Sequence, residues 1–271
     1  MTEQSVTIDE LKRIFTRENA QTVLKVMGIE SSLNKAFSLL QENWDYSRVL
    51  VITRQIAQSP GGKYDPNKIP GLKEKREQLI SKYKQIYGDE LDWCFNPGQY
   101  DNFRFKHTRG ELTYKQFHEG IDKHNLVAEI SEVTSLLSET YLVNQNSDIF
   151  PTLKNTKGSD YLLKYRFWDW KNSKSIGKGF IEEQVRQGKD PLEVALSEPE
   201  KLGRWMYENQ SDARFGDEPR HFLIYTGNKI ISTEELLYKL SEVDYDSTHT
   251  ITFTRAKTGI EYTTSCRVTY I

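Results

Sequence analysis

Cysteine is scarce in this chain: Cys94 and Cys266 are the only two in 271 residues, with no CxxC and no clustering with histidine. That argues against a disulfide framework and against a zinc site. Long apolar runs are missing too, so no stretch approaches the length of a membrane span and no membrane partner is expected. The opening MTEQSVTIDELKR lacks the charged start and apolar middle of a signal peptide, and a cytoplasmic location is expected. Nor does one sign of charge dominate. A net charge of −2, with 28% of residues charged, does not by itself announce a nucleic-acid binder.

Several catalytic signatures are absent as well. The five histidines (His107, His118, His124, His221, His249) form no HExxH, and there is no GxSxG or Rossmann glycine pattern. The GKG at residues 177–179 is not a phosphate-binding P-loop, which needs four residues between its first glycine and GK and a Ser or Thr after it.

What is present concentrates in residues 158–179, GSDYLLKYRFWDWKNSKSIGKG. An acid, Asp160, precedes a hydrophobic and aromatic run, and a second acid and a lysine follow two residues apart, Asp169 and Lys171. Side chains alternate along a strand, so Asp169 and Lys171 share a face and Trp170 takes the other. If residues 161–163 and 166–172 are antiparallel neighbours, Asp160 lies roughly opposite Lys171. Two carboxylates and an ammonium then share one small volume. Hard divalent cations bind through such oxygen ligands together with water and substrate phosphate. A bound Mg²⁺ neutralises phosphate charge and lowers the pKa of a water, and a lysine nearby orients that water or stabilises developing charge. An Asp and a Lys two apart on an exposed strand are otherwise a solvated pair of small worth.

The pattern, Ser159-Asp160 and then Asp169-Trp170-Lys171 on the next strand, resembles the core of the PD-(D/E)xK nuclease superfamily, which includes many type II restriction endonucleases. The resemblance covers residues 126–228. Ser159 stands where proline is usual, and the turn at residues 164–166 lacks Gly, Asn or Asp. It implies Asp160 and Asp169 as Mg²⁺ ligands and Lys171 as the residue that positions or activates water. It also implies a glutamate on the helix before the strand pair, directed toward the metal. Glu129 projects into the apolar stripe of that helix (Leu126, Ile130, Val133, Leu137, Tyr141), with Glu132 at its edge and Glu139 outside. Glu129 is therefore assigned the role, with Glu132 as the substitute and an interior ion pair as the alternative.

Around the motif, residues 154–189 hold nine bases against four acids, two of them the proposed ligands, which suits a phosphate backbone drawn to a metal. The expected order of elements is a helix ending near Val143, a strand in residues 148–156, the Asp160 and Asp169 strands, a helix in residues 191–207 and a buried strand, HFLIYT. Outside it, residues 6–58 read as a helical scaffold or dimerisation surface and residues 59–71, SPGGKYDPNKIPG, as a loop. FRFKHTR (residues 103–109) reads as a strand with one packed and one cationic face, and two alternating strands close the chain as a hairpin. The expected fold is α/β, a central mixed sheet flanked by helices in a restriction-endonuclease-like core, with an N-terminal helical region and a C-terminal β-hairpin. The expected partition is 1–112, 113–230 and 231–271.

The functional expectation is a Mg²⁺-dependent endodeoxyribonuclease acting on double-stranded DNA, sequence-specific and homodimeric as the restriction family implies. Two alternatives stay open: a toxin or repair nuclease without sequence specificity, and a non-catalytic DNA-binding protein.

Overall fold

The computed structural model describes residues 1–90, 98–156, 160–173, 176–209, 218–227, 229–254 and 259–271, with the backbone alone at 98–102, 171–173 and 178. The helices are α1 (Ile8–Ile14), α2 (Arg17–Val26), α3 (Ala36–Glu42), α4 (Tyr46–Gln58), α5 (Lys68–Tyr87), α6 (Gly98–Thr108), α7 (Tyr114–Gln145), α8 (Lys178–Arg186), α9 (Pro191–Ser197), α10 (Pro199–Glu208) and α11 (Thr233–Ser241). The strands are β1 (Phe150–Pro151), β2 (Tyr161–Leu163), β3 (Arg166–Ser173), β4 (Arg220–Ile224), β5 (His249–Thr254) and β6 (Glu261–Tyr270). They follow the order β1-β2-β3-β4-β6-β5 in a mixed open sheet, so the expected α/β class holds. Among the described residues no helix is long and apolar enough to cross a membrane.

Two compact units interleave along the chain, so neither coincides with the partition expected from the sequence. One comprises Met1–Ile69, Glu139–Trp170 and Arg214–His221; the other comprises Pro70–Ser138, Lys171–Ala213 and Phe222–Ile271.

In the first unit, side chains cap the short helices. Thr7 and Glu10 exchange bonds with each other's backbone in a capping box at α1, and Thr16 and Asp45 cap α2 and α4. Phe15 packs edgewise and Tyr46 at a tilt on Phe150 of β1. The C-terminal end of α7 is tied down by one residue of α4. The Arg54 guanidinium donates to the carbonyls of Val143, Asn146 and Ile149 at 2.8–2.9 Å, taking up acceptors that a helix end leaves without partners. Asn144 adds a second tie, donating to Tyr64 O and accepting from Gln58.

The β2–β3 hairpin turns on Lys164 and Tyr165, both with positive φ (49° and 64°), although neither is Gly, Asn or Asp. The Tyr165 ring lies 4.6 Å from that of Tyr46, which offsets the backbone strain.

In the second unit the core gathers around Phe180, Leu202, Met206, Phe222, Ile251 and Phe253. Gly203 lets α10 approach β6 so closely that a Cβ there would meet Cys266 Sγ at 2.6 Å. Cys266 is a buried free thiol whose pKa burial pushes up to about 12; Cys94 lies outside the described residues. Ile271 donates to Ile224 O and accepts from Thr226 N, the one-to-two pattern of parallel neighbours.

Several local expectations are corrected. FRFKHTR belongs to α6 up to Thr108 and is not a strand. Phe103 packs on Gly120 of α7 and His107 on Phe117, so positions four apart on α6 face positions three apart on α7, as neighbours on a helix face do. The strand expected in residues 148–156 shrinks to Phe150–Pro151, and α5 begins at Lys68, inside the expected loop. The C-terminal hairpin forms as expected, with Thr252 opposite Thr263; residues 255–258 of its turn lie outside the described residues.

Two stability predictions follow from the first unit. Arg54→Met, which keeps the stem but removes the donors, is expected to lower the unfolding free energy by about 3 kcal/mol, as read from the urea midpoint. Lys164→Asn, which suits a left-handed turn, is expected to raise it by about 0.5–1 kcal/mol.

Candidate functional site

The hairpin register places Tyr161 opposite Trp168 and Leu162 opposite Phe167. Asp160, just before β2, bonds Trp168 and Trp170, the residues on either side of Asp169, and so falls short of the expected position opposite Lys171. Asp160 N donates to Trp168 O at 3.0 Å, and the Asp160 carboxylate accepts the Trp170 N–H at 2.9 Å. A side-chain carboxylate thus accepts a backbone amide of β3. The consequence is positional: the first acid lies against the peptide that links Asp169 to Trp170.

The two faces of β3 separate as alternation requires. On one side the Trp170 ring packs edgewise on His221, 4.6 Å between centroids, and His221 Nδ1 lies 2.9 Å from the Tyr161 hydroxyl. On the other, Asp169 Oδ2 lies 3.6 Å from Arg220 Nε, both side chains buried. Neighbouring Phe167 carries the Arg13 guanidinium over its ring at 3.9 Å, and Arg13 pairs with Glu218 at 3.0 Å. The side chain of Lys171 lies outside the described residues, as does Ser159.

The backbone of Asp160 is gripped from its other flank. Thr152 donates to Asp160 O through both its amide, at 3.2 Å, and its hydroxyl, at 2.8 Å, and the Tyr64 phenol donates to the same oxygen at 3.2 Å. Lys63 Nζ completes this group 3.0 Å from Thr152 Oγ1. Tyr64 is fully buried, and its pKa is driven well above the ordinary tyrosine value, first by burial and then by the negative charges of Glu139 and Asp160.

The expected burial of Glu129 on α7 is corrected by its exposure. Glu129 and Glu132 are exposed on α7, whereas Glu139 is half-buried and its charge reaches Tyr64. The buried face of α7 includes Thr134, Ser138 and Thr140 beside the apolar residues, and Leu136 is 39% exposed. The stripe residues Leu126, Ile130, Val133 and Leu137 are buried as expected, and Glu129 lies at the edge of that face, not within it. Sequence reasoning also missed Arg220, Lys63, Tyr64 and Thr152. Arg220, a lone cation opening the apolar run HFLIYT, was legible as a residue in need of a buried partner.

The donors, the carboxylates of Asp160 before β2 and Asp169 on β3, are of the kind a hard cation takes. Among the described residues no three acids, histidines or cysteines form a ready-made cage. Mg²⁺ does not require one, since it keeps several waters and commonly takes one or two carboxylates plus substrate phosphate. Arg220 offsets one negative charge beside Asp169, which makes any cation site here weak until phosphate oxygens complete it.

Asp169 therefore has a structural role of its own. Asp169→Asn is expected to lower the unfolding free energy by about 3 kcal/mol, because it removes a negative charge that lies against a buried guanidinium. Asp169→Asn combined with Arg220→Met is expected to recover most of that loss in the same urea titration. The comparisons with known proteins add no relative: no family model, curated protein or solved structure matches the chain.

Proposed function

We propose that this protein is a Mg²⁺-dependent endonuclease that hydrolyses phosphodiester bonds of double-stranded DNA. The observation that carries the reading is the hydrogen bond from Trp170 N to the Asp160 carboxylate, which holds one acid against the strand that bears Asp169 and Lys171. The order of elements supports it further: a long helix, three strands, helices and a fourth strand, as in a restriction-endonuclease-like core.

In this reading Asp160 and Asp169 hold the metal, with Glu139, in place of Glu129 or Glu132, as the helix glutamate of the acidic shell. The metal, when bound, neutralises the charge of the scissile phosphate and lowers the pKa of a water. Lys171 follows Asp169 by two residues on β3. Its ammonium orients the attacking water and stabilises charge that develops on the phosphate. Asp160 is fixed twice, by the Trp170 amide and by the donors on its carbonyl, and reaches the reaction already oriented. Sequence-specific cutting by a homodimer, as in type II restriction enzymes, is the finer form of the proposal, with a cytoplasmic location.

A second reading is favoured by one observation. The buried Asp169–Arg220 pair is what a DNA-binding protein that keeps the fold without cutting would retain for structure alone.

Incubating the protein with a long linear duplex and Mg²⁺ separates these readings. Cleavage abolished by EDTA is expected, with discrete ends for a restriction enzyme and a smear for a nuclease without sequence specificity. Lys171→Ala and Asp160→Asn are expected to bind the duplex with wild-type affinity and to cut at least ~100-fold more slowly. Equal behaviour of wild type and both variants would favour the non-catalytic reading.

A further inference from the structure

Residues 59–65 form a loop built more firmly than its composition, SPGGKYD, suggests. Gly62 packs against the last turn of α4, where a Cβ would lie 2.3 Å from Ala57 O, so no other residue fits without a backbone shift. Gly61 has φ +77°, a conformation that favours glycine. The Asp65 carboxylate accepts the Gly61 and Asn67 amides at 2.8 and 2.9 Å, and these bonds hold its pKa below the ordinary value. Tyr64 N donates to Ala57 O at 2.8 Å, Lys68 donates to Gly62 O, and Asn144 donates to Tyr64 O at 3.0 Å. The residues on both sides of Lys63 are thereby fixed.

The loop delivers one cation. Lys63 is half-buried, its Nζ is 3.0 Å from Thr152 Oγ1 and 4.8 Å from the Tyr64 ring centroid. An ammonium carries three donors, and Thr152 accepts one of them. Thr152 in turn donates its hydroxyl to Asp160 O at 2.8 Å, so two short hydrogen bonds link the lysine to the backbone of the candidate metal ligand. A hydroxyl and a ring face do not neutralise a full charge. A rigid, half-buried cation at the acidic end of β2 is complementary to an anion that arrives with the substrate.

We propose that Lys63 binds a backbone phosphate of the nucleic acid beside the Asp160 end of β2, as a contact separate from Lys171. The inference rests on the nuclease reading for the identity of the ligand, and its stereochemical basis is the loop. Rigid placement is what distinguishes it from a solvated surface lysine: its position is set before DNA arrives, so little ordering cost attaches to the contact. One phosphate neutralised releases close to one counterion from duplex DNA, which gives the contact its own signature in salt.

The test uses Lys63→Met, which keeps the aliphatic stem against Tyr64, and Lys63→Arg, which keeps the charge. Binding of the full-length protein to a fluorescent duplex is measured by anisotropy in EDTA over a series of KCl concentrations, and cleavage is measured separately with Mg²⁺. The expected result for Lys63→Met is weaker binding at low salt and a slope of log affinity against log salt reduced by about 1, with a urea midpoint close to wild type. Lys63→Arg is expected to restore the slope. A wild-type slope and cleavage rate in Lys63→Met would overturn the assignment while leaving the nuclease reading intact. Wild-type protein that binds but never cuts, with the slope still lowered in Lys63→Met, would keep the phosphate contact and overturn the nuclease reading. Wild-type protein that binds no duplex would overturn both.

Discussion

The first unit depends on how the end of α7 is held. A helix of 32 residues leaves its last carbonyls without partners, and here three carbonyls at and just beyond that end converge on one guanidinium, that of Arg54. Burial draws the Arg54 pKa down, and the charge of Asp148 works against that shift. The negative end of the helix dipole and three well-aligned acceptors offset the cost of desolvation. With the helix end fixed, Asn144 reaches Tyr64 O, and the loop that carries Lys63 and Tyr64 acquires its anchor. Tyr64 then bonds Asp160 O. A structural cap in α4 and a candidate catalytic carboxylate are thus joined through α7 and one loop, by contacts that each satisfy a polar group.

Magnitudes show what the Asp169–Arg220 pair contributes. At 3.6 Å the gross attraction is about 4–5 kcal/mol at the effective dielectric that suits proteins. Desolvating two ions costs several kcal/mol each, so the intact pair is close to neutral in stability, while breaking it from one side is expensive. Such a pair is better understood as fixing position than as supplying stability. It aligns β3 with β4, where Asp169 N also donates to Pro219 O at 3.0 Å, and it sets the orientation of the second acid. It also places a permanent positive charge next to any cation that Asp169 would bind. The two demands on one carboxylate are compatible if the cation is held mainly by phosphate oxygens, which connects metal binding to the presence of nucleic acid.

The parts of the site legible in the sequence were those fixed by period and by order along the chain. Alternation on β3 separates Asp169 from Trp170, and the spacing of Asp160 from Asp169 is that of a two-residue hairpin. The turn itself was not legible, because Lys164 and Tyr165 take positive φ without a residue suited to it, and the contact that compensates, Tyr165 on Tyr46, comes from 119 residues away. The period places Glu129 inside the apolar stripe of α7, whose residues Leu126, Ile130, Val133 and Leu137 are indeed buried, but Glu129 itself is exposed, because period alone does not tell the edge of a buried face from its middle. FRFKHTR alternates as a strand would, yet the partners that decide its conformation are Gly120 and Phe117 of α7. In the turn and in α6 a tertiary contact overrode the local pattern.

The carboxylate of Asp160, the residue before β2, accepts the Trp170 amide, and one of its oxygens is held at 2.9 Å from that nitrogen. A carboxylate offers about four lone-pair sites, so a single amide leaves most of its capacity for other acceptor roles while fixing its plane. Orientation set before the substrate arrives is the condition under which electrostatic groups contribute most to a reaction, since nothing need reorganise at the transition state. In the proposed activity this amide bond is what orients the first acid, and it connects the hairpin to the chemistry proposed for it.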